Sequence, residues 1–184
     1  MSWAVLGALR AAPALDRPDL LADAVEHALA SLDPGDAARV GVAEIDPALA
    51  DTAEFCAAYA SPLESSANCV VVSGRRGGHV RFAACVILAT TRADVNGVVR
   101  KRLDVRKASF APMAEAVELT GMDYGGITPI GLPAGWPLFV APEVAAARSV
   151  VIGSGVRASK LAVPGALLAS LPGAEVVDGL AREV

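Results

Sequence analysis

Residues 68–88, NCVVVSGRRGGHVRFAACVIL, hold two runs of β-branched and apolar residues around a glycine-rich connection. NCVVVSG and HVRFAACVIL each have the length and composition of a strand. GRRGG between them is short enough to reverse the chain directly, so the stretch predicts an antiparallel hairpin. A hairpin here breaks the strict strand–helix alternation of a parallel α/β sheet and points to a mixed α+β fold.

Upstream of the hairpin, RVGVAEI reads as a strand. DPALADTAEFCAAYA reads as a helix with acidic residues in its early turns, where they complement the helix dipole, and SPLESSA as a loop. Residues 1–35 read as an Ala/Leu-rich helix, with Asp16 or Asp19 near a helix start and DPGD at 33–36 as a turn. Downstream, TTRADVNGVVRKRLDV reads as a loop entering a helix near Asp94, with Gly97 as a weak point. KASFA is a short strand candidate. PMAEAVELTG is a helix bracketed by Pro112 in its first turn and Gly121 after its last. PLFVAP, SVVIGSG, KLAV and AEVV follow as strands, with PEVAAAR and a segment from Pro164 as helices. No internal repeat or linker interrupts the chain. The expected division is a helical extension, residues 1–35, packed on one domain, residues 36–184.

The chain has 184 residues, 54% of them hydrophobic, enough for one domain with a substantial core. It has no uninterrupted apolar run of the roughly 18 to 20 residues that a membrane span needs. The opening MSWAVLGALRAAPALDRPDLL has no basic residue ahead of its apolar run and reads as a packing segment, so a soluble, cytoplasmic protein is expected. Cys56, Cys69 and Cys85 are odd in number, far apart and without a C-x-x-C, which supports neither a disulfide framework nor a zinc site. They read as reduced core residues. His27 and His79 are the only imidazoles, His27 on a helix flank, and no metal or cofactor is expected.

A net charge of −4 excludes a protein that coats nucleic acid through general basicity. The basic residues are nevertheless clustered, with Arg100, Lys101, Arg102, Arg106 and Lys107 in one run and Arg75 and Arg76 in the hairpin loop. Solvated surface and phosphate-contacting patches are both open readings. With His79 inside a glycine-rich turn and no G-x-S-x-G, a nucleophilic triad is excluded. Asp94 sits at a strand-to-helix junction where N-capping explains it equally well. GSGVR, residues 153–157, is too short for a dinucleotide fingerprint.

YGGITPIGLP, residues 124–133, packs three glycines and two prolines into ten positions. Glycine frees the backbone and proline removes donors, so the segment is neither helix nor central strand. It is built to present backbone.

LTGMDYGGITPIGLP followed by VVIGSGVRASKL resembles the YbaK/ProRS-associated domain family of aminoacyl-tRNA deacylases, over roughly residues 40–178. The resemblance implies a mixed, strongly curved or barrel-like β-sheet with surrounding helices. It implies trans-editing, the hydrolysis of the ester of a mischarged tRNA carrying a small amino acid such as Ala, Ser, Thr or Cys. The family's G-x-x-x-P loop matches Gly125, or equally Gly126, through Pro129. Its S-G-x-R turn, opened here by Gly153, matches Ser154, Gly155 and Arg157. Its junction Asp and basic helix match Asp94 and Arg100 to Arg102. One departure stands out: the family's lysine at the start of a central strand is replaced by Asn68, which is neutral and of shorter reach. A non-catalytic module that binds aminoacyl-tRNA or an aminoacyl-adenosine is therefore the alternative.

An aminoacyl ester is already activated, so its hydrolysis needs mainly positioned water and donors for the developing oxyanion. Backbone N–H groups around Gly125, Gly126 and Ile127 are the candidate donors, Pro129 a brace, and Thr128 a residue that orients water or lines the pocket. The base is expected from the substrate, through its ribose hydroxyl or α-amino group. Arg100, Lys101 and Arg157 would meet phosphates of the unpaired CCA acceptor end. The 4% aromatic content argues against an extended stacking platform. No membrane partner is expected, and a weak homodimer or association with a synthetase stays open.

Overall fold

In the computed structural model, which describes residues 3–183, the chain does not begin with the long helix expected before residue 35. Pro13 and Pro18 remove backbone donors, so an α-helix cannot propagate through either. The segment instead forms 3-10 turns at Ala4–Leu6, Ala14–Asp16 and Pro18–Leu20, a two-residue strand β1 (Ala12–Pro13) and one true helix, α1 (Asp23–Ala30). The DPGD turn is helical: Asp33 accepts the Gly35 N–H at 2.9 Å and caps the single turn α2 (Pro34–Ala37). Met1, Ser2 and Val184, the outer ends of the two expected segments, lie outside the described residues.

The next elements follow the sequence reading closely. They are β2 (Gly41–Glu44), a 3-10 turn at Pro47–Leu49, α3 (Thr52–Tyr59), β3 (Ala67–Arg76) and β4 (His79–Leu88). β3 and β4 form the expected antiparallel hairpin, closing at Arg76 opposite His79. Gly77 and Gly78 between them have φ of +57° and +83°, the two left-handed residues that a type I′ turn requires. After β5 (Thr91–Ala93), a π-helical turn at Val95–Val99 runs into α4 (Arg100–Arg102). Then come β6 (Ala108–Phe110), α5 (Met113–Thr120), β7 (Leu138–Val140), α6 (Pro142–Ala146) and β8 (Val150–Gly153). The chain finishes with β9 (Ser159–Val163), α7 (Gly165–Ala169), β10 (Ala174–Val176) and β11 (Ala181–Glu183). Pro112 is the N-cap of α5 instead of a first-turn residue, and Gly121 closes it in the left-handed region at φ +66°.

The fold is mixed α+β, but its strands do not make one curved or barrel-like sheet. Among the described residues they make three open sheets, ordered β1-β2-β9-β8, β10-β7-β4-β3-β6 and β11-β5, and none closes on itself. The two larger sheets meet at a single parallel bridge between Ser66 and Val151. The main core lies between sheets and helices and contains Val72, Val86, Val140, Leu161 and Leu168 together with Leu20, Val25 and Leu29 from the N-terminal segment. A smaller cluster, built on Leu6, Ala43, Ile45, Ala50, Phe55, Val151 and Ala162, sits on the other face of the first sheet. β9 passes between the two and is buried at every position. With side chains alternating along a strand, Leu161 and Val163 enter the main core while Lys160 shares the face of Ala162.

Candidate active site

Two glycine turns that are distant in sequence are laced together by backbone. Gly126 donates its N–H to Asp123 O at 2.9 Å, Gly155 donates to Gly126 O at 2.8 Å, and Asp123 donates to Gly155 O at 2.8 Å. The approach leaves no room for side chains. A Cβ on Gly126 would lie 2.7 Å from Val156 O, and one on Gly153 would lie 2.3 Å from Gly126 O. This contact gives the Y-G-G loop and the G-S-G-x-R turn a common structural reason.

Arg157 ties the pair down. Its Nε and one terminal nitrogen donate to Pro47 O at 3.3 and 3.1 Å, and the other donates to Tyr124 O at 3.1 Å and Asp51 Oδ1 at 3.4 Å. The guanidinium is thus a clamp between the 3-10 turn before α3 and the glycine loop. Its donors are directed at protein groups, which differs from the phosphate contact expected of it. Ser154 is fully buried, and its hydroxyl is hydrogen-bonded with that of Ser159, Oγ to Oγ 2.6 Å, beneath the turn.

Above this lattice opens a cavity of about 530 Å³. Gly125, Ile127 and Gly153 line it together with Asn68 and Thr52, and Phe110, Met113 and Tyr124 stand at it, each residue more than half exposed. Asn68 is fixed by Thr52, whose Oγ1 donates to its Oδ1 at 3.0 Å. The Gly126 N–H is already used in the turn, and the Thr128 N–H points at Met122 Sδ at 3.5 Å. Among the described residues, the Gly125 and Ile127 N–H groups meet no acceptor, and both residues line the cavity, so these two are candidate donors to a ligand there.

The other expected residues stand elsewhere. Thr128 is completely buried outside the cavity wall, with its hydroxyl unpartnered among the described residues. Pro129 is buried too and borders a second, apolar cavity of about 650 Å³ beside Trp136 and Leu171. Asp94 caps the π-helical turn through Val98 N at 3.1 Å and pairs with Arg182 at 2.9 Å. Arg100 donates to Asn96 O at 2.8 Å, and Lys101 is exposed. None of these three lines the cavity.

Lys160 was not singled out from the sequence, yet its side chain lines the cavity. Only 7% of the residue is exposed, Nζ donates to Ala50 O at 2.7 Å, and Nζ lies 5.6 Å from the centroid of the Phe55 ring. Burial lowers its amine to about 8. Asp51 and Cys56 oppose that shift, and Arg157 adds to it. The available signal was a lysine inside the apolar run SKLAV. Burial pushes the thiols of Cys69, on the cavity wall, and Cys85 upward, the latter to about 12, so neither supplies a thiolate at neutral pH. Among the described residues no group of three His, Cys, Asp or Glu side chains could hold a metal ion, and no helix is long and apolar enough to cross a membrane.

Several solved structures share this architecture. A proposed trans-editing enzyme for prolyl tRNA synthetase superposes with a TM-score of 0.71 over 89% of this chain and 99% of its own, at 20% identity. A structure from work on epitope backbone grafting onto scaffold proteins does so with a TM-score of 0.72 over 89% and 97%, also at 20% identity. Hypothetical protein APE2540 superposes at 0.63 over 72% and 85%, at 25% identity. These likenesses define the fold class. No curated protein sequence matches the chain. The family model of the aminoacyl-tRNA editing domain matches residues 46–171, a span that contains the glycine loop, the G-S-G-x-R turn, Asn68 and Lys160. The chain belongs to the aminoacyl-tRNA editing domain family.

Proposed function

We propose that the protein is a free-standing, cytoplasmic trans-editing deacylase that hydrolyses the ester of a tRNA mischarged with a small amino acid such as Ala, Ser, Thr or Cys. The observation that carries this reading is the cavity itself, walled by bare backbone at Gly125, Ile127 and Gly153 within an editing-domain fold. Such a wall lets an ester carbonyl approach N–H groups closely, and Arg157 keeps the loop from relaxing away. Water adds to the carbonyl carbon, the oxyanion is held by loop donors, and collapse breaks the bond to the ribose oxygen. The released amino acid keeps the new C–O bond, and the ribose hydroxyl regains its proton. Phe110 and Tyr124 at the mouth offer faces on which the unpaired terminal adenine can stack. Arg100 and Lys101 lie off the cavity and would steer more distant phosphates. Residues 1–35 act as an extension packed on the domain.

Asn68 favours a second reading, a binding module without turnover, because a neutral amide held by Thr52 stands where the resemblance places a lysine. A panel of tRNAs charged with Ala, Ser, Thr and Cys separates the two. Release of amino acid from at least one by the wild-type protein supports the deacylase. Binding of a non-hydrolysable aminoacyl-tRNA mimic with every charged tRNA left intact supports the module, and Asn68→Lys is then expected to gain activity.

A further inference from the structure

Lys160 is a buried cation with no ion-pair partner among the described residues; Asp51, the acidic residue at the cavity whose charge reaches it, is paired with Arg157 instead. The Nζ of Lys160 donates one hydrogen bond, to Ala50 O. Burying an ammonium in this way is unfavourable unless something compensates it. The side chain nevertheless reaches the wall of the cavity, where it stands with the backbone of Gly125, Ile127 and Gly153 and the neutral amide of Asn68. A fixed positive charge that no anion contacts in the resting protein is suited to an anion that appears only during reaction.

We propose that Lys160 is a catalytic residue of this site, its ammonium holding the ester carbonyl oxygen and stabilising the negative charge that forms there when water adds. The proposal rests on the deacylase reading above. One N–H of Lys160 stays on Ala50 O and fixes the amine, and the other two are free for the carbonyl oxygen. As the water oxygen bonds to the carbonyl carbon, the carbonyl electron pair moves onto the oxygen beside Lys160. When the tetrahedral species collapses, that pair re-forms the carbonyl and the ester C–O bond breaks. The leaving ribose oxygen takes the proton given up by the water. Lys160 neither gains nor loses a proton over the cycle.

The role requires the protonated amine. Asp51 before α3 and Cys56 on α3 favour that form, while burial and Arg157 in the β8–β9 turn oppose it, and the balance lies near 8. The contribution of Lys160 is therefore full below about pH 8 and is lost as pH rises through it.

The test is single-turnover deacylation of a responsive aminoacyl-tRNA by wild type and Lys160→Met from pH 6 to 9.5, with the dependence on protein concentration measured at pH 7. At pH 7 the variant is expected to lose about 10²- to 10³-fold in rate, the range for removing one oxyanion donor, with little change in half-saturation. The ratio of wild-type to variant rate should fall by about tenfold per pH unit above pH 8. Lys160→Gln keeps an N–H for Ala50 O without the charge and carries the same prediction should the Met variant fail to fold. A variant at least half as fast as wild type, or a rate ratio flat through pH 8, overturns the role of Lys160 alone. A wild-type protein that releases no amino acid from any charged tRNA overturns the deacylase reading, and this role with it.

Discussion

At Gly126 a single methyl group separates the native loop from a displaced one. The residue is buried, and a Cβ would meet the backbone of Val156 at 2.7 to 2.9 Å, where no flexible side chain can move aside. Gly126→Ala must therefore push the glycine loop and the G-S-G-x-R turn apart, at a cost of about 1 to 3 kcal/mol typical of an overpacked interior. Gly125→Ala strains the chain differently, because its φ is +82° and its Cβ would strike the guanidinium of Arg157 at 2.3 Å. Both variants are expected to lose 10-fold or more in deacylation rate, about the effect of an ångström-scale misplacement in a positioned site. Gly126→Ala should also lower the denaturant midpoint. Unchanged rates in both would show that the loop does not set the position of the ester.

The residues at this scale that the sequence left obscure share one cause. Lys160 sits in a strand where alternation alone would allow it to point at water. Only the packing of Phe55 and Ala50 over that face of β9 makes it internal. Arg157 is visible in the sequence as the arginine of an S-G-x-R turn but not as a clamp, since its partners Pro47, Asp51 and Tyr124 come from two other segments.

Elements with strong local chemistry were the legible ones. The β3–β4 hairpin follows from two apolar runs and a Gly-Gly reversal, and α5 from its bracketing proline and glycine. β1, β5 and β11 are two or three residues long, too short to show a period, and exist because a neighbouring strand supplies hydrogen bonds. The same distinction separates the two basic features at the level of elements. Arg157 lies in the β8–β9 turn and makes its bonds inside the protein, whereas Lys101 on α4 is exposed to solvent. Arg157→Ala is thus expected to lower both melting temperature and deacylation rate while leaving the salt dependence of tRNA binding unchanged. Lys101→Ala should leave melting and chemistry intact and reduce the slope of log affinity against log salt by about one, the signature of a lost phosphate contact. Binding isotherms at several salt concentrations decide the matter, and a Lys101→Ala slope equal to that of wild type would remove α4 from the tRNA path.

For the molecule as a whole, the question is whether residues before the family match, which begins at residue 46, are an appendage or part of the machinery. Leu20, Val25 and Leu29 belong to the same buried cluster as Val72, Val86 and Leu161, so the segment shares the core of the sheets. It also backs the site directly. Ala22 donates to Ser154 O at 3.2 Å, Ser159 Oγ donates to Leu20 O, and the Cα of Gly155 is so close to Ala22 that a Cβ there would come within 2.4 Å. Ser159 is the neighbour of Lys160 on β9, so the segment that supports the G-S-G-x-R turn also holds the strand that carries the buried amine. Leu29 is fully buried on α1, on the side of the segment away from these contacts in sequence. Leu29→Ala should cost about 2 to 5 kcal/mol, as for other deletions of a core leucine. If the segment and the domain fold as one unit, chemical denaturation followed by Trp3 and Trp136 fluorescence and by circular dichroism will show one coincident transition, shifted to lower denaturant. Two separated transitions, with deacylation surviving the first, would mean that the N-terminal segment is dispensable to the site.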